Sequence, residues 1–203
     1  MKNSMLSIFS KIIFPLKKPQ IIIVSGNNQD EVVFKVLNQY LKVKKIKDKL
    51  RASDIIRNEV LIFESQVGET ESFEFLIDKS KAPVLLVTSG YGEIGKITRL
   101  AEVLPDSGFL LLNSDDEAIR GLIEKSAAES LTFGFQEKAD FQVTDVKNNG
   151  GTNFKINYKV NIVPVRLERF ISREEIYAIL AAAVVGEALK INLVKVTEAL
   201  KDY

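Results

Sequence analysis

Four short runs of consecutive apolar residues, each followed by turn residues and a segment of helical period, constrain this 203-residue chain more than any other feature. They fall at residues 20–25 (QIIIVS), 60–64 (VLIFE), 84–88 (VLLVT) and 108–113 (GFLLLN). A strand that is apolar on both sides of its pleat must be covered on both faces. Such runs therefore predict a parallel sheet between layers of helices. The intervening segments supply the helices. Val32, Val33, Val36, Leu37 and Leu41 recur at helical spacing behind the turn Gly26-Asn27-Asn28. Further helices are expected over 71–79, 97–103 and 115–124, the last capped by Ser114 or Asp115. The expected class is α/β, a mainly parallel sheet with flanking helices.

The pattern changes near Ser130. Residues 141–146 and 154–160 alternate apolar with polar, on either side of Asn148-Asn149-Gly150-Gly151. A glycine-rich turn between alternating runs signals a hairpin, so a small antiparallel sheet is expected over about 130–168. Ser172 and Glu175 stand at the spacing of a capping box. They lead a strongly apolar helix over 176–189, where Ala181, Ala182, Ala183 and Gly186 permit close packing. A short helix over 193–200 follows.

Composition limits the chemistry. There is no cysteine and no histidine, which excludes thiolate nucleophiles, sulfur-ligated metals, imidazole bases and most zinc sites. The balance of 28 Lys+Arg against 27 Asp+Glu gives no basic excess of the kind a nucleic-acid binder carries, and no nucleic-acid partner is expected. Charge is nevertheless uneven. Residues 1–19 (MKNSMLSIFSKIIFPLKKP) hold four lysines and no acid among many apolar side chains. The run is interrupted too early to span a bilayer. As a helix it would place Leu6, Phe9, Ile13 and Leu16 on one face. That suits either packing on a protein surface or lying on an anionic membrane with its lysines snorkelling. A second basic run over 42–51 reads as a solvated edge strand.

The second half resembles the central domain of the Mur ligases of peptidoglycan synthesis (MurE and MurF among them) and of their folylpolyglutamate synthase relatives. The residues that carry the resemblance are LLLNSDDEAIRGL (110–122), LTFGFQEKADFQVTDV (131–146), the Gly-Gly hairpin and AILAAAVVGEALKINLVKVTEAL (178–200). The first half follows at lower specificity. The resemblance implies a phosphate-loop NTPase-like core over 20–203, preceded by the basic segment 1–19 and without the family's flanking domains. Matching family positions are Glu64, a metal-binding glutamate in the family, with Thr88, Asn113, Asp115, Asp116, Thr132, Phe133 and Gly134.

Departures from the family pattern are equally specific. Where the resemblance implies Thr-Gly-x-Asn-Gly-Lys-Thr around ATP phosphates, this chain reads Ser25-Gly26-Asn27-Asn28-Gln29-Asp30-Glu31. Asp30 replaces the phosphate-binding lysine and Glu31 the metal-binding hydroxyl, so attraction to a triphosphate becomes repulsion. The family's metal-binding histidine has no counterpart after Thr88. The carbamylated lysine of several relatives would fall near Arg99 or Leu100. Residues 168–172 and Tyr177 occupy the place of a Gly-x-His-Asn element. The expectation is a catalytically inactive domain with no catalytic residues and no cofactor, acting as a binding, scaffolding or regulatory module linked to peptidoglycan synthesis. It would be cytoplasmic, with the inner membrane face as a further location. Its expected partner is a protein, such as a Mur-like ligase or a membrane-bound cell-wall enzyme, and residues 1–19 are the candidate membrane contact. The alternative is a divergent ATP- or metal-dependent amide ligase, with Asp30, Glu31 and Glu64 around Mg²⁺ or a site completed by a partner.

Overall fold

In the computed structural model, which describes residues 5–26, 30–90 and 93–200, one nine-stranded sheet organises the chain. Its first six strands are β1 (Gln20–Ser25), β2 (Val43–Ile46), β3 (Val60–Glu64), β4 (Val84–Val87), β5 (Phe109–Asn113) and β6 (Glu129–Gly134). Its last three are β7 (Phe141–Asn148), β8 (Thr152–Tyr158) and β9 (Asn161–Leu167). They lie in the order β2-β3-β1-β4-β5-β6-β7-β8-β9. Pairing is parallel from β2 to β7 and antiparallel from β7 to β9.

The apolar runs do what their composition requires. Along β1, Ile21 and Ile23 face one side of the sheet and Ile22 and Val24 the other, and all four are buried. One face packs on α2 (Asp30–Asn38), α6 (Arg173–Ala188) and α7 (Leu193–Ala199). The other is covered by α1 (Ile8–Lys17), α3 (Ala52–Arg57), α4 (Thr70–Lys79), α5 (Ile94–Glu102) and the 3₁₀ helix Glu117–Lys125. The alanine-rich α6 is buried almost all round, and Val196 of α7 sits where a side chain on Gly186 would collide. Ser172 and Glu175 form the expected capping box, each side chain accepting from the other's amide at 3.2 and 2.8 Å.

Several expectations change in detail. The antiparallel strands continue the edge of the parallel sheet, joined through Phe133↔Phe141 and Gly134↔Gln142, and β6 belongs to the parallel part. The helix expected over 115–124 is 3₁₀, with Gly121 at its centre and Asp116 as its cap; glycine lowers helix stability. Helix α3 carried no sequence signal beyond three apolar residues in six. Both edges of the sheet are guarded: β2 carries Lys44 and Lys45, and β9 carries Pro164, two devices that discourage a further strand.

The segment over 1–19 contains α1, but its faces divide otherwise than expected. Phe14 is fully buried, its ring 6.3 Å from that of Phe75 on α4, and Ser10 donates to the Leu50 carbonyl at 2.6 Å. Leu6 is buried ahead of the helix, bridging Leu50. Phe9 and Leu16 point to solvent.

Candidate functional site

Chain growth reverses at β1: β2 and β3 lie to one side of it, β4 to the other. In open α/β sheets the crevice beyond the carboxyl ends of strands at such a point is where ligands bind. Here β1 ends in Ser25 before Gly26, β3 in Glu64 before Ser65, and β4 runs into Thr88. The Thr88 amide and hydroxyl both donate to the Ser25 carbonyl, at 2.8 and 3.2 Å. Gly26 has φ 111°, and a Cβ there would overlap Thr88 Oγ1 and come 2.7 Å from the Ser89 nitrogen. Only glycine fits. Ser65 Oγ donates to Glu93 Oε2 at 2.6 Å and contacts Ser25 Oγ at 3.1 Å. The ammonium of Lys96, the nearest lysine to Arg99, donates to the Ser65 and Gly68 carbonyls. Burial lowers the pKa of Lys96, against the pull of Glu93. Asn27, Asn28 and Gln29 lie outside the described residues.

Asp30 and Glu31 open α2, where acidic side chains complement the helix dipole. Asp30 is only 4% exposed. Its counter-charge is Lys45 of the edge strand β2, whose ammonium pairs with Asp30 Oδ2 and lies 3.0 Å from Glu31 Oε2. Among the described residues no donor besides the Lys45 ammonium reaches Asp30 Oδ2, so this pair is its compensation. Burial alone would lower the Lys45 pKa, but its hydrogen bonds and charge interactions with Asp30 and Glu31 raise it. The cavity beside this pair, lined by Val24, Gly26, Asp30, Glu64, Ser65 and Gln66, measures about 30 Å³.

The described residues at the place of a magnesium–triphosphate are already engaged with one another. The helix end that would attract phosphate presents a buried carboxylate already matched by a cation of the chain. Among the described residues no three carboxylates gather as a metal site, and two of the three that the metal-based alternative needs are engaged by Lys45. Glu64 lies at the cavity rim.

The remaining family positions form a second cluster at the ends of β5 and β6. Asn113 donates to the Thr88 carbonyl and accepts from the Asp115 amide, both at 3.1 Å. Asp115 accepts from the Phe135 and Gln136 amides at 2.7 and 3.1 Å, and from the Tyr177 hydroxyl at 2.7 Å. Asp116 accepts from the Gly90 and Ala118 amides, both at 2.9 Å. Thr132 exchanges hydrogen bonds with Asp140, its hydroxyl donating at 2.7 Å. Phe133 is fully buried, and a Cβ on Gly134 would lie 2.7 Å from Asp115 Oδ1. Burial and the bond to Asp115 raise the Tyr177 pKa, with Arg173 opposing. Each polar side chain here ties one loop to another.

Comparison with known proteins now bears on this arrangement. No family model matches the chain. A UDP-N-acetylmuramoyl-L-alanyl-D-glutamate--2,6-diaminopimelate ligase of Chlamydia pneumoniae is 27% identical over 104 residues, 50% of this chain and 21% of that protein. A solved structure of a ligase of the same name superposes with TM-score 0.70 over 96% of this chain and 51% of its own, at 12% identity. The fold is that of a Mur ligase central domain. A MurF ligase from Thermotoga maritima, solved in complex with ADP, agrees at TM-score 0.65 and 14% identity, over 92% of this chain and 51% of that one. The chain spans about half the length of these solved Mur ligases, and its match to the chlamydial protein about a fifth.

Sequence reasoning set Asp30, Glu31 and Glu64 around a metal only in its alternative reading; in the structure Asp30 and Glu64 line one small cavity, while Glu31 is turned to Lys45. Sequence reasoning missed Lys45, Ser65, Glu93 and Lys96. A carboxylate placed on the buried side of α2 calls for a nearby cation. Nothing in the lysine-rich run over 42–51 says which member turns inward.

Proposed function

We propose that this Mur-ligase-like domain is catalytically inactive and serves as a binding or scaffolding module in peptidoglycan synthesis. The observation that carries the reading is the Asp30–Lys45 pair at the head of α2. It satisfies, from within the chain, the electrostatic demand that a phosphate would otherwise meet. The small adjoining cavity and the structural use of Asn113, Asp115 and Asp116 support it further. The partner in this reading is a protein of the same pathway, a Mur-like ligase or a membrane-bound enzyme acting on its product. Titrating the full chain with Mg²⁺–ATP in a calorimeter tests the proposal. The expected result is no binding heat and no released phosphate. Low-micromolar binding accompanied by phosphate release would overturn it.

A further inference from the structure

Helix α1 has two apolar faces, and only one is used. At 3.6 residues per turn, Ile8, Phe9, Ile12 and Leu16 fall within about 100° of one another, opposite the buried Ser10 and Phe14. These four side chains are 77%, 72%, 60% and 80% exposed. They form a continuous apolar stripe on a helix whose other side is already docked. Lys11 and Lys17 flank the stripe on its two sides, with Lys18 at the helix end.

The neighbouring surface extends the charge. Where the chain enters α1, a groove running from Met5 to Arg51 is lined by Lys44 and Lys47. Beyond the other end of the helix a second groove brings Lys18, Lys42, Arg57 and Lys81 around the half-exposed Ile56. Asp48 and Asp54 in the first groove and Glu59 in the second are the opposing carboxylates; Glu31 is held by Lys45.

We infer that this face docks on an anionic lipid bilayer, with the α1 stripe immersed among acyl chains and the lysines at headgroup level. Charge complementarity selects this occupant. A second copy would set one lysine border against another, whereas an acidic lipid surface neutralises all of them together. The geometry is that of an interfacial helix: a narrow apolar face, flanking lysines whose stems can snorkel, and a folded domain on the opposite side. Among the described residues no helix is long and apolar enough to cross a membrane, so the contact is peripheral. The inference does not depend on whether the domain binds nucleotide.

Co-flotation of the 203-residue chain with vesicles provides the test. The chain is expected to float with phosphatidylglycerol-rich vesicles and to remain behind with pure phosphatidylcholine. Phe9→Ser/Leu16→Ser should abolish flotation without changing the circular dichroism spectrum, because both side chains are exposed. Each of Lys11→Gln, Lys17→Gln and Lys18→Gln should weaken partitioning about fivefold. Failure to float with the acidic vesicles, or equal flotation of the Ser/Ser variant, would overturn the inference. So would a lipid-free dimer that the Ser/Ser variant converts to monomer, since a second copy would then own the stripe.

Discussion

Lys45 is the residue on which the candidate site turns, because its ammonium is the counter-charge to the buried Asp30 side chain. Lys45→Gln should cost about 2–3 kcal/mol in urea unfolding, at or below the low end for breaking a buried pair because Lys45 keeps some exposure. Asp30→Asn/Lys45→Gln should cost less than Lys45→Gln alone, since no buried charge is then orphaned. The pH dependence has a definite sign. The folded pKa of Lys45 is raised, so its contribution is complete below the ordinary lysine range and fades as alkaline pH passes through the raised value. An unfolding titration above that range should show this loss in the wild type and its absence in Lys45→Gln. The charge reversal at 30 and 31 was legible once residues 25–31 were set beside the phosphate loop of the family that the sequence resembles. Its compensation was not, because Lys45 lies 15 positions from Asp30 on a strand that becomes its neighbour only once the sheet exists.

Among the elements, the loop after β5 and the loop after β6 are fastened together by Asp115, and two substitutions separate its roles. Gly134→Ala places a methyl against the Asp115 carboxylate and should cost about 2 kcal/mol by overpacking. Tyr177→Phe removes the hydrogen bond donated to Asp115 and the long one accepted from Arg173, and should cost about 1 kcal/mol. Chemical denaturation that ranked them the other way would contradict this assignment. Helix α1 is held by Phe14, and Phe14→Ala should destabilise by about 3 kcal/mol, read from the same transition. Element type and order followed from apolar runs and helical spacing, because a strand covered on both faces leaves a mark in consecutive residues. The two-faced nature of α1 did not. Its inward anchor Phe14 and its outward Phe9 are chemically alike, and periodicity cannot say which aromatic meets the core.

Across the whole molecule, two apolar layers enclose a sheet whose parallel and antiparallel parts share one plane of hydrogen bonds. The antiparallel part was visible as alternation. Its continuity with the parallel strands was not, since the joint consists of only Phe133↔Phe141 and Gly134↔Gln142. The Asp30–Lys45 pair has a consequence at this scale as well. A domain built around a ligand gains stability by mass action whenever that ligand is abundant and gives it up when supply falls. Here the counter-charge is covalently part of the chain, always present at the same effective concentration. In the nucleotide-free reading proposed above, the folded population of this protein does not follow the supply of nucleotide.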